Sequence, residues 1–283
     1  MRRIQKNPFF PERSFYTDLA CERRKSNLEC KDIKFEKNVC CVGIWESVKV
    51  IGEEGAKMID RPCGTYDTLT TVRFDLLEED EIADAVEEIA KKLCEIFDDI
   101  SVMPARILVI GMGNSNMTVD SVGPKSAGMV KPTLQLRQMD ENLFDELECS
   151  EIAVFCPDVP SHTGMDSLTL IKSVSEKFSP DAIIAIDSIM TSSTERLGCT
   201  IQISDTGIFP SGIGSLNGAI TRATIGVPVI GIGVPTVMDL RYFKLNESEE
   251  IPLFVSLKET DEIVNSAAKI LAGGINQAFG YEY

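Results

Sequence analysis

The spacing of apolar positions changes along the chain. Residues 39–50 and 66–75 are rich in β-branched and aromatic side chains and end in glycine or acidic residues, which predicts antiparallel strands. Residues 79–98 instead place apolar side chains three or four positions apart behind an acidic first turn. That spacing predicts an amphipathic helix.

The second part of the chain alternates short apolar runs with helix-like segments. The runs are RILVIGMGN, EIAVFCPD, DAIIAIDSI, CTIQIS and VPVIGIGVP. Such runs, bounded by Gly, Pro and Asp, are typical of parallel strands covered on both faces. The helix-like segments cover 120–138 and 166–178, and a last one from Thr260 contains Gly273 and Gly274, which we expect to break it. The pattern predicts an α/β fold with a doubly wound, mostly parallel sheet and an N-terminal β-rich lobe.

Composition excludes several classes of protein. The 283 residues are 43% hydrophobic, which is ample for a buried core, but no stretch is apolar enough to span a membrane. Nine cysteines without a CxxC or Cys/His spacing indicate a reducing compartment, and we expect a cytoplasmic protein without a structural zinc site. A net charge of −16 disfavours direct binding to nucleic acid.

Two acidic residues follow apolar runs at positions suited to catalysis. Asp120 comes after the GMGN turn at the mouth of a helix, and Asp187 ends DAIIAID. Open α/β sheets carry their sites at the carboxyl edge, so the two carboxyls are candidates for one cleft, where one would hold a proton and the other activate a water. The alternative for each is a helix cap. The sequence leaves open whether they are adjacent.

Other polar residues are weaker candidates for the same cleft. They are Asn114, Lys125, Asp158, Asp205 and Asp239. Such acids are also suited to a divalent metal, although the single histidine, His162, disfavours a nitrogen-rich metal site. We expect His162 to be an exposed turn residue, and no motif of a serine or cysteine hydrolase is present.

The N-terminal stretch raises a separate question. Residues 1–13 carry four Arg or Lys in an otherwise acidic chain, and residues 17–22 then read TDLACE. This hexapeptide is either the first strand of a domain or a site that something cuts.

Several of these motifs occur together in one known family. The segments YTDLACE, GMGNSNMTVDSVGPK, SPDAIIAIDSI, TIQISDTGI and GVPVIGIGVPTVMD resemble, in this order, the germination proteases of endospore-forming bacteria. The resemblance extends from about residue 14 to 240 and resumes in LAGGINQA. It implies a fold related to hydrogenase-maturation peptidases, a homotetramer, and a zymogen that degrades small acid-soluble spore proteins in the cytoplasm of the forespore or spore core. It implies no cofactor, no membrane and no direct nucleic-acid partner.

The resemblance also implies roles for particular residues. The two acids of this aspartic-type family match Asp120 and Asp187. Its substrates are cut within Thr-Glu-apolar-Ala-Ser-Glu, after the first acid, and TDLACE resembles that pattern. The implied cut lies between Asp18 and Leu19, which divides the chain into a leader of residues 1–18 and a single peptidase domain of residues 19–283.

Three segments depart from the family pattern. Most of a long insertion after Asp239 is missing, the loop GIGSLNGAI lacks the usual basic residues, and PDVPSHTGMD replaces a segment rich in Gly and Met. Two alternatives therefore stand beside the peptidase: a weak or inactive relative that binds peptide or protein, and a metal-dependent peptidase of the maturation type.

Overall fold

The structure is a computed structural model that describes residues 17–24, 30–102, 104–209, 218–239 and 253–280. The basic tail of residues 1–13 lies outside these ranges, as do most of the Gly-rich loop and the segment after Asp239. Among the described residues, each helix is too short or too polar to cross a lipid bilayer.

One sheet runs through the described chain, in the order β1-β2-β3-β7-β8-β6-β4-β5, with β9 paired to β8. The strands are β1 (Ile33–Val39), β2 (Ile44–Val50), β3 (Gly64–Thr70), β4 (Arg106–Gly111), β5 (Glu151–Phe155), β6 (Ala182–Thr191), β7 (Thr200–Ser204), β8 (Val229–Asp239) and β9 (Phe254–Val255).

Helices connect and cover these strands. They are α1 (Ala20–Arg23), α2 (Glu53–Ile59), α3 (Glu79–Asp99), α4 (Val122–Met129), α5 (Leu134–Met139), α6 (Glu141–Glu146), α7 (Pro160–Thr163), α8 (Ser167–Phe178), α9 (Arg222–Ile225) and α10 (Thr260–Phe279). Two short 3-10 turns, η1 (Phe74–Leu76) and η2 (Thr118–Asp120), complete the set.

The sheet has a parallel half and an antiparallel half. Strands β5, β4, β6 and β8 are parallel, which confirms the predicted α/β class. The predicted antiparallel segments 39–50 and 66–75 contain β2 and most of β3, which are antiparallel together with β1 but extend the same sheet. The prediction that CTIQIS is parallel is wrong, because β7 runs antiparallel to both β3 and β8. Only residues 192–199 join β6 to β7, too few for the crossover that a parallel strand needs.

Both faces of the parallel half are covered. Ile107 and Val109 of β4 pack into one apolar core with Ile184 and Ile186 of β6 and with residues of α3 and α10. Leu108 and Ile110, on the opposite face, pack into a second core with Leu168 and Ile171 of α8. Consecutive residues of a strand point to opposite faces, so the continuous apolar runs are explained by burial on both sides.

The long helix α3 matches the predicted 79–98 segment. Its start is fixed by a capping box, in which the side chain of Glu81 accepts from the backbone N–H of Glu78 at 2.9 Å. The predicted 120–138 segment, however, is divided into α4 and α5. Pro132 lies between them, and a residue before proline is disfavoured in the helical conformation.

The expectation that Gly273 and Gly274 break the last helix is wrong. Helix α10 runs without interruption from Thr260 to Phe279. A Cβ at Gly273 would lie 2.7 Å from Cγ2 of Val86, and one at Gly274 would lie 2.5 Å from Cγ2 of Ile89, both in α3. The pair therefore allows close contact between two helices, and that packing outweighs the poor helix propensity of glycine.

Candidate active site

Asp187 lies where strand β6 extends past the end of its neighbour β4. The last residue of β4, Gly111, pairs with Ile186, so Asp187 is the first residue of β6 beyond that pairing. The strand does not end at Asp187, as the sequence suggested, but continues to Thr191 beside β8. The side chain of Asp187 is 7% exposed, and one oxygen accepts the N–H of Ser188 at 2.9 Å.

Asp120 is held by the turn that follows β4. Its Oδ2 accepts the backbone N–H of Asn114 at 2.9 Å, and its own N–H donates to the carbonyl of Met117 at 2.8 Å. Asp120 does not cap the next helix, because the N-cap of α4 is Ser121. Gly113 has φ +111°, and a Cβ there would lie 2.1 Å from the carbonyl oxygen of Asp120, so this turn requires glycine.

The two carboxyls line the same cleft. Its volume is about 470 Å³, and both Asp120 and Asp187 are on its surface. Much of the remaining wall is apolar and comes from Met112, Met117, Val119, Leu168, Met190 and Phe254. A cleft of this size and character accommodates an extended peptide with an apolar side chain.

The environments of the two carboxyls differ. Burial raises the pKa of Asp187 well above the ordinary value, and the nearby charge of Asp120 raises it further. Burial also raises the pKa of Asp120, but the hydrogen bond from Asn114 opposes that shift by stabilising the ionised form. Both shifts favour the protonated form, and the shift at Asp187 is the larger, so Asp120 is the carboxyl that ionises first.

A third acid, Asp158, also lies on the cleft wall. The N–H of Val159 and the ring of His162 both donate to its carboxylate, and they lower its pKa. His162 is half-exposed in the short helix α7, with Nδ1 3.2 Å from Asp158. This acid is consequently ionised at neutral pH.

Other sequence candidates lie elsewhere. Lys125 donates to Asp261 at 2.9 Å and to Asn265 at 2.8 Å, both on α10. Asp205 accepts the N–H of Thr65 at 2.8 Å and lines a different pocket. Because β7 is antiparallel, its carboxyl end lies at the opposite edge of the sheet from that of β6, which places Asp205 away from the cleft.

Asn114 and Asp239 complete the set. Asn114 contributes its backbone N–H to Asp120, whereas its side-chain oxygen accepts from the N–H of Asn116 at 2.9 Å. Asp239 is 1% exposed at the end of β8, where it pairs with Phe254 of β9. Neither side chain is part of the cleft wall.

The TDLACE segment is docked beside this cleft. Asp18 forms a two-point contact with Met190: its N–H donates to the Met190 carbonyl at 2.8 Å, and its Oδ2 accepts the Met190 N–H at 3.0 Å. Arg61 donates to the Asp18 carboxylate at 3.1 Å and to its carbonyl at 2.8 Å. Leu19 is fully buried. The bond between Asp18 and Leu19 is therefore shielded in this conformation.

Glu22 provides the second anchor of the segment. Its carboxylate accepts from the hydroxyl of Thr191 at 2.6 Å and from the N–H and hydroxyl of Ser192 at 2.9 and 2.7 Å. The backbone of Leu19 is extended, residues 17–19 belong to no strand and α1 follows, so the hexapeptide is not a strand of the sheet.

Sequence patterns missed Thr236. This residue of β8 is 3% exposed and lies on the cleft wall beside Asp120 and Asp187. A signal for it was present in Pro235, because proline inside a buried strand marks an edge or an irregularity in pairing.

Comparisons with known proteins fit an α/β protein with a carboxyl-lined cleft. A family model described as Germination protease matches residues 13–243. The chain belongs to this family and is a peptidase, a hydrolase of peptide bonds.

Relatives of the same name cover much of the chain. The germination protease of Caldanaerobacter subterraneus subsp. tengcongensis is 36% identical over 79% of this chain and 69% of its own length. That of Clostridium perfringens strain 13 is 30% identical over 93% of this chain and 94% of its own. That of Priestia megaterium is 39% identical over 70% of this chain and 54% of its own length.

One solved structure, a NiFe hydrogenase maturation protease from Thermococcus kodakarensis KOD1, is similar at a TM-score of 0.36 and 15% identity, over 65% of this chain and 99% of that one.

Within the described residues, no three His, Cys, Asp or Glu side chains are grouped so that they could hold a metal ion.

Proposed function

We propose that this peptidase is an endopeptidase of spore germination in which Asp120 and Asp187 activate a water for attack on a peptide bond. The observation that carries the proposal is that the two carboxyls line one cleft in unequal environments. Pairs of carboxyls whose pKa values are driven apart are the usual basis of acid and base roles.

The unequal environments support a division of roles between the two acids. Asp120, ionised and held by the Asn114 N–H, takes a proton from water, and the hydroxide attacks the carbonyl carbon. Asp187, protonated in its buried position, then donates its proton to the leaving amide nitrogen as the C–N bond breaks. The net reaction consumes one water and leaves a new carboxyl and a new amine.

The substrates that we propose are small acid-soluble spore proteins, cut in the cytoplasm of the forespore or spore core by a homotetramer. The enzyme is made as a zymogen, and TDLACE is its own cleavage site. Support comes from the family membership and from the position of this segment beside the cleft.

Substitution of the acids tests the catalytic roles. Asp120→Asn and Asp187→Asn each lower kcat by about 100- to 10,000-fold on a peptide containing Thr-Glu-Phe-Ala-Ser-Glu, because each removes a proton-transfer group. The matched control is Asp205→Asn, a half-buried acid that also accepts a backbone N–H but lies in another pocket. Wild-type kcat in either cleft variant would refute the assignment, and full inhibition by a chelator would favour the metal-dependent alternative.

Self-processing is tested by intact mass and N-terminal sequencing. The full chain, incubated at mildly acidic pH, is expected to lose residues 1–18 and to begin at Leu19. The Asp187→Asn chain stays full-length under the same conditions. A new N-terminus elsewhere would exclude TDLACE as the processing site, even if the peptide is cut.

A further inference from the structure

The pairing of β6 with β8 contains one irregularity, and it lies at the cleft. Asp187 pairs with Gly233 and Ile189 with Pro235, but Met190 then pairs with Val237. Thr236 is left without a partner, as the extra residue of a β-bulge. Bulges next to active sites redirect a side chain away from the regular alternation of a strand.

The redirected side chain reaches the turn that carries Asp120. The hydroxyl of Thr236 donates to the carbonyl of Val119 at 2.6 Å. Val119 immediately precedes Asp120 in η2. The backbone hydrogen bonds of Asp120 described above join it only to Met117 and Asn114, within its own loop. The Thr236 bond ties this loop to the strand beside Asp187.

We propose that Thr236 is a positioning residue that sets the separation between the carboxyls of Asp120 and Asp187. This inference rests on the proposed function of the acid pair and names a residue that acts through it. Thr236 bonds to the backbone before Asp120 while its strand pairs with β6 on either side of the bulge. One hydroxyl therefore links the supports of both acids.

The separation matters because the two acids interact through their charges. Among the described residues, the other charged groups at or beside the cleft are Asp18 with its partners Arg23 and Arg61, and Asp158 with its partner His162, followed by Asp166 at the start of α8. Without the Thr236 bond the turn that carries Asp120 is no longer held to β8, and we expect Asp120 to move away from Asp187. The pKa of Asp187 then falls, because one of the causes that raise it is weakened.

Two substitutions distinguish the effect of the Thr236 hydroxyl from the effect of the volume of its side chain. Thr236→Val keeps the shape and removes the donor, and we expect kcat to fall about 10- to 100-fold with little change in KM, since misplacement by about 1 Å has effects of that order. The alkaline limb of the pH profile of kcat also moves to lower pH. Thr236→Ser keeps the donor and retains the wild-type pH profile.

Thr133→Val is the matched control for simple destabilisation. Thr133 is a fully buried threonine whose hydroxyl donates to the carbonyl of Ser150 and accepts the N–H of Ile152, away from the cleft wall. It is expected to lower the Tm while leaving the pH profile unchanged. A Thr236→Val enzyme with wild-type kcat and pH profile, or a Thr236→Ser enzyme as impaired as Thr236→Val, would overturn the proposal.

A readout independent of turnover distinguishes this proposal from the catalytic one. The carboxyl carbon of Asp187 is titrated by NMR in protein labelled at aspartate, with Asp187→Asn to assign the signal. The midpoint is expected at lower pH in Thr236→Val than in wild type or Thr236→Ser. Equal midpoints in all three would contradict the role of Thr236, whereas active Asp120→Asn and Asp187→Asn enzymes would instead contradict the proposed function.

Discussion

Asp187 combines burial with a like-charged neighbour, and this combination has a thermodynamic cost. Both effects disfavour the ionised form in the folded protein, so the folded chain binds the proton more tightly than the unfolded chain does. As pH rises above the pKa of an exposed aspartate, about 4, Asp187 ionises in the unfolded state before it does so in the folded state. This earlier ionisation stabilises the unfolded state relative to the folded one. The contribution of Asp187 to the free energy of unfolding is therefore complete at low pH. It is lost as pH rises through the pKa that Asp187 has in the folded protein.

Asp187→Asn is predicted to raise the Tm at neutral pH, although under the proposed mechanism it removes catalysis. An amide cannot ionise, so the variant does not lose stability through ionisation at this position. The difference in Tm between the variant and wild type therefore grows with pH from about 4 upward. Thermal unfolding monitored by circular dichroism between pH 5 and 8 measures it. A Tm difference that is constant across this range would show that Asp187 is not the group responsible.

The two acids were accessible to sequence analysis because apolar runs lead directly to them. The same pattern also selected Asp205, and only the direction of β7 separates it from the cleft. Whether a strand is parallel or antiparallel depends on the strands with which it pairs, so the sequence TIQIS alone does not reveal it. Thr236 was harder to select, because Pro235 indicates an irregular strand whereas the bulge itself exists only in the register of two strands.

The contact between α3 and α10 shows which features of helices follow from the apolar pattern of the sequence and which follow from tertiary packing. The period of apolar residues and the capping box were enough to predict α3. The glycine pair of α10 was misinterpreted, because propensity favours a break and only the facing side chains of Val86 and Ile89 explain the absence of one. Helix boundaries set by tertiary contact are not visible in local sequence.

Gly274→Ala is predicted to destabilise the protein by about 1 to 3 kcal/mol, because the added methyl group overpacks the contact with Ile89. The control is Gly128→Ala on the exposed face of α4, where nothing lies within 4 Å of the added Cβ. That substitution should stabilise the protein by about 0.5 to 1 kcal/mol through helix propensity alone. Urea denaturation of both variants measures the contrast, and stabilisation by both would mean that the two helices are not in close contact.

The N-terminal segment connects parts of the molecule that are distant in sequence. Arg61 follows α2 in the antiparallel half, whereas Met190 and Ser192 lie at the end of β6 in the parallel half. Asp18 and Glu22 bind to both regions with side chains that are almost fully buried. A peptidase reaches a buried bond only after local opening, so the stability of this docking limits the rate of cleavage.

Arg61→Gln is predicted to accelerate removal of residues 1–18, because the substitution removes two hydrogen bonds to Asp18, one of which is also the ion pair with its carboxylate. The fraction of shortened chain is followed by intact mass at fixed pH and protein concentration. Arg73→Gln serves as the control, since Arg73 pairs with Asp75 and Glu259 on a different part of the surface. A rate equal to that of the control would mean that the docking of Asp18 does not protect the bond.

The contact between Asp18 and Met190 also has a consequence for synthesis on the ribosome. The two residues are 172 positions apart, so the segment can contact Arg61 early but cannot form its bonds to β6 until that strand has been made. At about 5 to 20 residues per second, that interval lasts roughly 10 to 35 s. During this time the nascent chain lacks the β6 contacts that hold the segment around Leu19. The bond proposed as the cleavage site therefore gains this part of its protection late in translation, and a polysome-bound fragment that ends before Ala182 lacks it.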